Sequence, residues 1–183
     1  GGYAIGYNST AKISVAGTAG FTGNLALGGL VLEVSGRTPT TEGQPENSDE
    51  GKINPSGTVH LEANSMTFGD YATVTGSGTL WIEPYSSSYG MVVGNTSGAT
   101  GNNLLIPNGY FIQNNTRAGN QPVFTGTYGT SVTFGSTNST ANVTMDNASF
   151  PSTNNINIQA TSAGTVDILG AVSVNNNINV WGG

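Results

Sequence analysis

The sequence predicts an all-β fold, a right-handed parallel β-helix (β-solenoid) of about 21–22 residues per coil with one loop excursion. Three observations predict it. No stretch sustains the i, i+3, i+4, i+7 apolar pattern of a helix over successive turns. Short alternating apolar runs are instead separated by Gly, Asn and Ser turns. A phrase also returns at a near-constant step: "GTVHLEA" begins at Gly57, "GTLWIEP" at Gly78, and a shortened "GTVDILG" at Gly164.

Taken in order, the strand-like runs open with "AKISV", "NLALGG" and "LVLEVSG". Residues 36–57, "GRTPTTEGQPENSDEGKINPSG", then break the alternation. They carry three of the seven prolines and Glu42, Glu46, Asp49 and Glu50, and read as a solvated loop thrown out from one coil. "TVHLEA", "SMTFG", "ATVTG", "TLWIEP", "MVVG", "NLLIP" and "YFIQ" follow, then "SVTFG", "NVTM", "NINIQA", "TVDILG", "VSVN" and "INVW". Val59 to Leu80 and Leu61 to Ile82 are both steps of 21, which would set each pair in one internal column. "SMTFG" at Ser65 and "SVTFG" at Ser131 differ by 66, three rungs of 22, so Met66, Phe68, Val132 and Phe134 are expected to line a second wall. About eight or nine coils would result. Each coil is too thin to bury its own apolar face, so stacking supplies the core. "NNNINV" and "STNNINI" read as corners, where Asn tolerates left-handed backbone and stacked Asn side chains bond as ladders. A two-sheet sandwich would also use many short strands, but the constant offset favours the solenoid. Residues 1–183 are read as one solenoid segment, an excerpt of a longer fibre.

Composition excludes several functions. Charged residues are 8% of the chain, against about 25% in ordinary soluble domains. With 36% hydrophobic residues, this describes a folded protein with an uncharged polar surface rather than a disordered one. The net charge is −6, and Lys12, Arg37, Lys52 and Arg117 are the only Lys and Arg. A nucleic-acid partner requires clustered cations, so none is expected. No apolar run approaches the length of a membrane span. The six Asn-x-Ser/Thr sequons match the number of about five that 22 asparagines give by chance, so they carry no information.

Residues 72–95, "ATVTGSGTLWIEPYSSSYGMVVGN", resemble the β-helical repeats of large secreted bacterial adhesins. So do "SVTFGSTNSTANVTM" (131–145) and "AGTVDILGAVSV" (163–174). The family is the filamentous-haemagglutinin-like exoproteins of two-partner secretion and related autotransporter passengers. The likeness covers residues 59 to 183 best and is weaker before Gly36. The family's Asn-Pro-Asn-Gly secretion signature is echoed only by "IPNGY" (106–110), mid-chain, and its role is not carried over. The resemblance implies a piece of an extracellular fibre at the bacterial cell surface. An outer-membrane transporter would be its partner during secretion. Host glycans, other cells or biofilm matrix would be its ligands.

One constellation carries potential chemistry. If Val59, Leu61, Leu80 and Ile82 face inward, alternation turns His60, Glu62, Trp81 and Glu83 outward. His60 would lie beside Trp81, and Glu62 beside Glu83. Two carboxylates one coil apart approach the spacing of a retaining glycosidase pair, roughly 5 Å. They could also share a Ca²⁺ with nearby carbonyls. The simpler reading is a decorated solvent face. No catalytic residue, metal or cofactor is therefore expected, and the four form a candidate carbohydrate or partner surface with Trp81 as a sugar platform. Asp146 and Asp167 are 21 apart, but the step from Val143 to Val166 sets Thr144 against Asp167 instead. Tyr85, Tyr89, Tyr110, Phe111, Tyr128 and Phe150 read as corner packing and scattered surface positions rather than a sugar face.

The leading expectation is a non-enzymatic, structural and adhesive rod, whose ends and sides could also self-associate. The alternative is a β-helical polysaccharide-binding or polysaccharide-degrading protein, phage tail-fibre-like or a lyase or hydrolase. A lyase groove needs basic residues to hold an acidic sugar chain, and four cations argue against it. An ice-binding face needs a regular Thr array, which the irregular Thr spacing does not give.

Overall fold

A computed structural model describes the backbone of residues 2–5, 10–14, 18–21, 24–35 and 52–55, and in fuller detail 58–68, 72–75, 78–112, 122–125, 131–136, 142–151, 153, 155–161 and 163–181. The strands are β1 (Gly2–Ile5), β2 (Thr10–Ser14), β3 (Thr18–Phe21), β4 (Asn24–Ser35), β5 (Lys52–Pro55), β6 (Val59–Phe68), β7 (Thr73–Thr75), β8 (Leu80–Glu83) and β9 (Gly90–Gly94). They continue as β10 (Asn103–Pro107), β11 (Phe124–Thr125), β12 (Ser131–Gly135), β13 (Val143–Asp146), β14 (Ala148–Phe150), β15 (Asn155–Gln159), β16 (Val166–Ile168), β17 (Val172–Val174) and β18 (Asn177–Trp181). The one helical turn among the described residues is a 3-10 turn at Asn108–Tyr110. Val, Ile, Thr and Phe at alternating positions between Gly and Asn turns produce strands rather than helices.

The fold is all-β, and its sheets are parallel. The main sheet runs β1-β4-β6-β8-β12-β15-β18, with β2 also paired to β4. Smaller sheets are β10-β9-β13-β16, β11-β7-β5-β3 and β14-β17. Parallel neighbours need crossover connections, and here the smaller sheets supply them. Between β8 and β12 the chain passes through β9, β10 and β11; between β12 and β15, through β13 and β14.

Register fixes the core. Val59, Leu80, Val132 and Ile156 are successive partners, as are Leu61, Ile82, Phe134 and Ile158. All eight have no solvent exposure. Burying each such side chain stabilises by about 1.5–3 kcal/mol. Leu104, Met91 and Val143 form a second wall beside Ile106, Val93 and Met145. Phe111, Phe124, Phe134 and Phe150 fill the space between, with Phe111 centred 4.9 Å from Phe150 and 5.0 Å from Phe124. Phe111 and Phe150 are therefore core residues, not the corner and scattered surface positions expected, because their rings meet Phe124 and Phe134 in the interior. Tyr110 packs on the same cluster and donates its hydroxyl to the Met66 carbonyl at 3.0 Å. Tyr128 lies outside the described residues.

The expected steps of 21 from Val59 to Leu80 and Leu61 to Ile82 are present, and so are Val143 against Val166 and Thr144 against Asp167. Other expectations need correction. In-register steps along the main sheet are 22 (Gly2 to Asn24), 34 (Leu25 to Val59), 21 (Val59 to Leu80), 52 (Leu80 to Val132), 24 (Val132 to Ile156) and 22 (Ile156 to Ile178). The period near 21–22 is thus interrupted twice, not once, and among the described residues the sheet holds eight strands, seven of them on its main path. The second interruption is no solvated loop, because it carries β10, whose Leu104 and Ile106 are buried. "SMTFG" and "SVTFG" do not share a column: Met66 faces Leu32, whereas Val132 follows Leu80. "NLALGG" and "LVLEVSG" are one strand, β4. Of the loop expected at 36–57, Lys52–Pro55 is strand β5 between β3 and β7, and the remaining residues lie outside those described. The asparagine ladder is real but runs along strands, not corners. Asn177 donates to Asn155 at 3.1 Å, Asn179 to Asn157 at 3.0 Å, and Asn157 to the Thr133 hydroxyl at 3.3 Å.

Candidate functional site

The inward columns determine what the outward residues do. With Val59, Leu61, Leu80 and Ile82 fixed inside, alternation projects His60 and Glu62 from β6 and Trp81 and Glu83 from β8 on the opposite face. Register brings His60 against Trp81 and Glu62 against Glu83, the two expected pairs. The imidazole stacks on the indole, centroids 4.3 Å apart at 15°. His60 Nε2 also reaches diagonally to Glu83 Oε1 at 2.6 Å, a charge-assisted bond when the ring is protonated.

The face is less open than alternation alone implies. Glu83 is only 7% exposed. The Trp81 indole spans to the next strand and donates Nε1–H to the Gly135 carbonyl at 2.8 Å. One face of the ring carries His60 and its N–H is committed, so Trp81 is a structural clasp across three strands as well as a surface aromatic. On the other side, register sets Ala26 and Gly28 of β4 opposite His60 and Glu62.

Electrostatics follow from this packing. Partial burial pushes the Glu62 carboxyl above the usual range, and the negative charge of Glu83 adds to the shift, while His60 opposes it. One ligand atom from each of His60, Glu62 and Glu83 falls in a cluster whose members all lie within 4.8 Å of one another. The two carboxylates thus have the proximity of a glycosidase pair. Glu83, however, is buried and bonded to His60, which leaves it poorly placed to attack a sugar ring.

Two polar cavities lie elsewhere, on either side of residues 95–102. One, of about 590 Å³, is lined by Asn95, Thr100, Asn142, Thr144 and Asp146. The other, of about 480 Å³, is lined by Asn64, Tyr89, Leu105 and Tyr110. Asn102 and Asn103 line both. Sequence reading missed these grooves, since "NTSGATGNN" (95–103) signals only turns. It missed Gly135 as well, because nothing in the sequence ties that carbonyl to Trp81. No family model, curated protein or solved structure matches the chain.

Proposed function

We propose that the chain is a β-solenoid segment of a secreted bacterial surface fibre, acting by adhesion rather than catalysis. On this reading the winding is right-handed. The basic coil is the step from Val59 to Leu80, from Val132 to Ile156 or from Ile156 to Ile178, and it widens where the two interruptions leave the stack. The observation that carries the reading is the parallel register from β6 to β18. Apolar columns are fully buried through β6, β8, β12 and β15, and on β12, β15 and β18 the outer face carries hydrogen-bonded, uncharged Asn and Thr. Such a stack is stiff, and its polar, nearly uncharged surface suits neutral hydroxyl-rich ligands such as host or matrix glycans. The grooves flanking 95–102 and the patch of His60, Glu62, Trp81 and Glu83 are the contact surfaces proposed. Export through an outer-membrane transporter belongs to the same reading, as does folding outside the cell.

A glycan array and adhesion to immobilised biofilm matrix test it. The native chain should bind neutral oligosaccharides, and Asn142→Ala with Thr144→Ala should weaken that binding at least several-fold. An unchanged profile for Trp81→Ala removes the patch from the contact surface. Reducing ends or unsaturated products released from a polysaccharide panel would overturn the adhesive reading in favour of an enzyme.

A further inference from the structure

We propose that His60, Glu62 and Glu83 form a binding site for one divalent transition-metal ion of the Zn²⁺ class. The site does not depend on adhesion, and it stands or falls separately from the function proposed above. Three side chains from two adjacent strands converge here, each presenting one ligand atom within 4.8 Å of the others. A tetrahedral Zn²⁺ with bonds of about 2.0–2.2 Å holds its ligand atoms roughly 3.3 Å apart. His60 Nε2 and Glu83 Oε1, now 2.6 Å apart, need open by less than about 1 Å to accept it.

The surroundings favour an ion. Glu83 has nine-tenths of its side chain buried, and among the described residues His60 is its hydrogen-bond partner. Glu62 faces it one strand away. No Lys or Arg lies on β6 or β8; the chain's four are at positions 12, 37, 52 and 117. Two carboxylates and a neutral imidazole carry a charge of −2, which a divalent cation offsets in full. One nitrogen and two oxygens select Zn²⁺, Co²⁺ or a similar ion over Ca²⁺ and Mg²⁺, which prefer oxygen alone. In the neutral ring that donates Nε2–H to Glu83 the hydrogen moves to Nδ1 by exchange through solvent, which frees the Nε2 lone pair for the ion with no net release of a proton. The Trp81 stack holds the imidazole plane in place, and Ala26 and Gly28 are the small residues set by register opposite His60 and Glu62.

Untagged chain, stripped with chelator, is titrated with Zn²⁺ by calorimetry at pH 7. One ion per chain is expected, with a dissociation constant in the micromolar range or tighter. His60→Gln and Glu62→Gln should each weaken it roughly tenfold or more. Both positions are only partly buried, so the variants should fold, and circular dichroism checks this. In a Trp181→Phe background, Co²⁺ should quench Trp81 emission through the stacked His60. Stoichiometry far below one, an affinity unchanged in both variants, or equal affinity for Ca²⁺ would overturn the proposal.

Discussion

Phe134→Ala is the most searching perturbation of the stack. Phe134 has no solvent exposure and lies between Ile82 and Ile158 in one column. Its ring is also 5.3 Å from Phe150 and 5.8 Å from Phe111. A buried Phe→Ala change costs about 3–5 kcal/mol. The neighbouring rings are themselves held by further aromatic contacts, so collapse into the void is restricted and the upper part of that range, about 4 kcal/mol, applies. With a urea m-value of about 2 kcal/mol/M, the midpoint should fall by about 2 M. Ile178→Ala is the matched control. It sits in the next column over on β18 and is 39% exposed, so it should cost less than about 1.5 kcal/mol. Urea unfolding is followed by tryptophan emission and by circular dichroism, because stacked arrays can lose cooperativity and the two probes must coincide. Equal midpoint shifts for the two variants would refute the reasoning, since they would place Phe134 outside a shared, tightly filled interior.

Further outcomes follow from single contacts. Gly135→Ala should cost at least about 2 kcal/mol, because a left-handed backbone strains any residue with a Cβ. Gly135 has φ of 86°, and an added Cβ would strike the Gln159 carbonyl and lie 2.7 Å from Val143 Cγ2. Gly98→Ala, at φ 85° with open space around it, carries only the conformational part, about 1 kcal/mol, and thermal melts of the pair separate the two. Trp81→Phe keeps a ring beside His60 but loses the bond to the Gly135 carbonyl, lowering stability by about 0.5–1.5 kcal/mol in urea titrations. Glu62→Gln should stabilise the metal-free chain slightly at pH 7, within about 0.5 kcal/mol because the site is solvent-screened. The raised Glu62 carboxyl binds its proton more tightly folded than unfolded, so its penalty is complete above the folded-state pKa. It vanishes as pH falls below the unfolded value of 4.5, and the gain of the variant should vanish with it in melts across that range.

The parts of this fold that sequence reveals are those set by neighbouring residues. Alternation in "TVHLEA" and "TLWIEP" names Val59, Leu61, Leu80 and Ile82 as internal, and a step of 21 aligns them. The same pattern identifies His60, Glu62, Trp81 and Glu83 as one outward group. What it hides depends on distance. Beyond Val59, the next partner of Leu80 is Val132, far along the chain, because β9, β10 and β11 intervene, and no local rhythm records such a detour. The likeness of "SMTFG" to "SVTFG" misleads for the same reason, since spatial register, not shared spelling, decides which residues meet. Glu83 was legible as outward but not as buried. It is bonded diagonally to His60, while the neighbouring indole reaches over to Gly135, and neither contact follows from period two.

The two long steps, Leu25 to Val59 and Leu80 to Val132, leave Leu27, Leu61, Ile82 and Phe134 in line as though nothing had been added. The detour after Leu80 rejoins the sheet in register at Val132, while its own Phe111 and Phe124 pack into the core that Phe134 occupies. The scaffold thereby behaves as a socketed backplane. Foreign peptides could be spliced into the 95–102 connector, and the new cargo would be displayed between β9 and β10, at the edge of a parallel sheet.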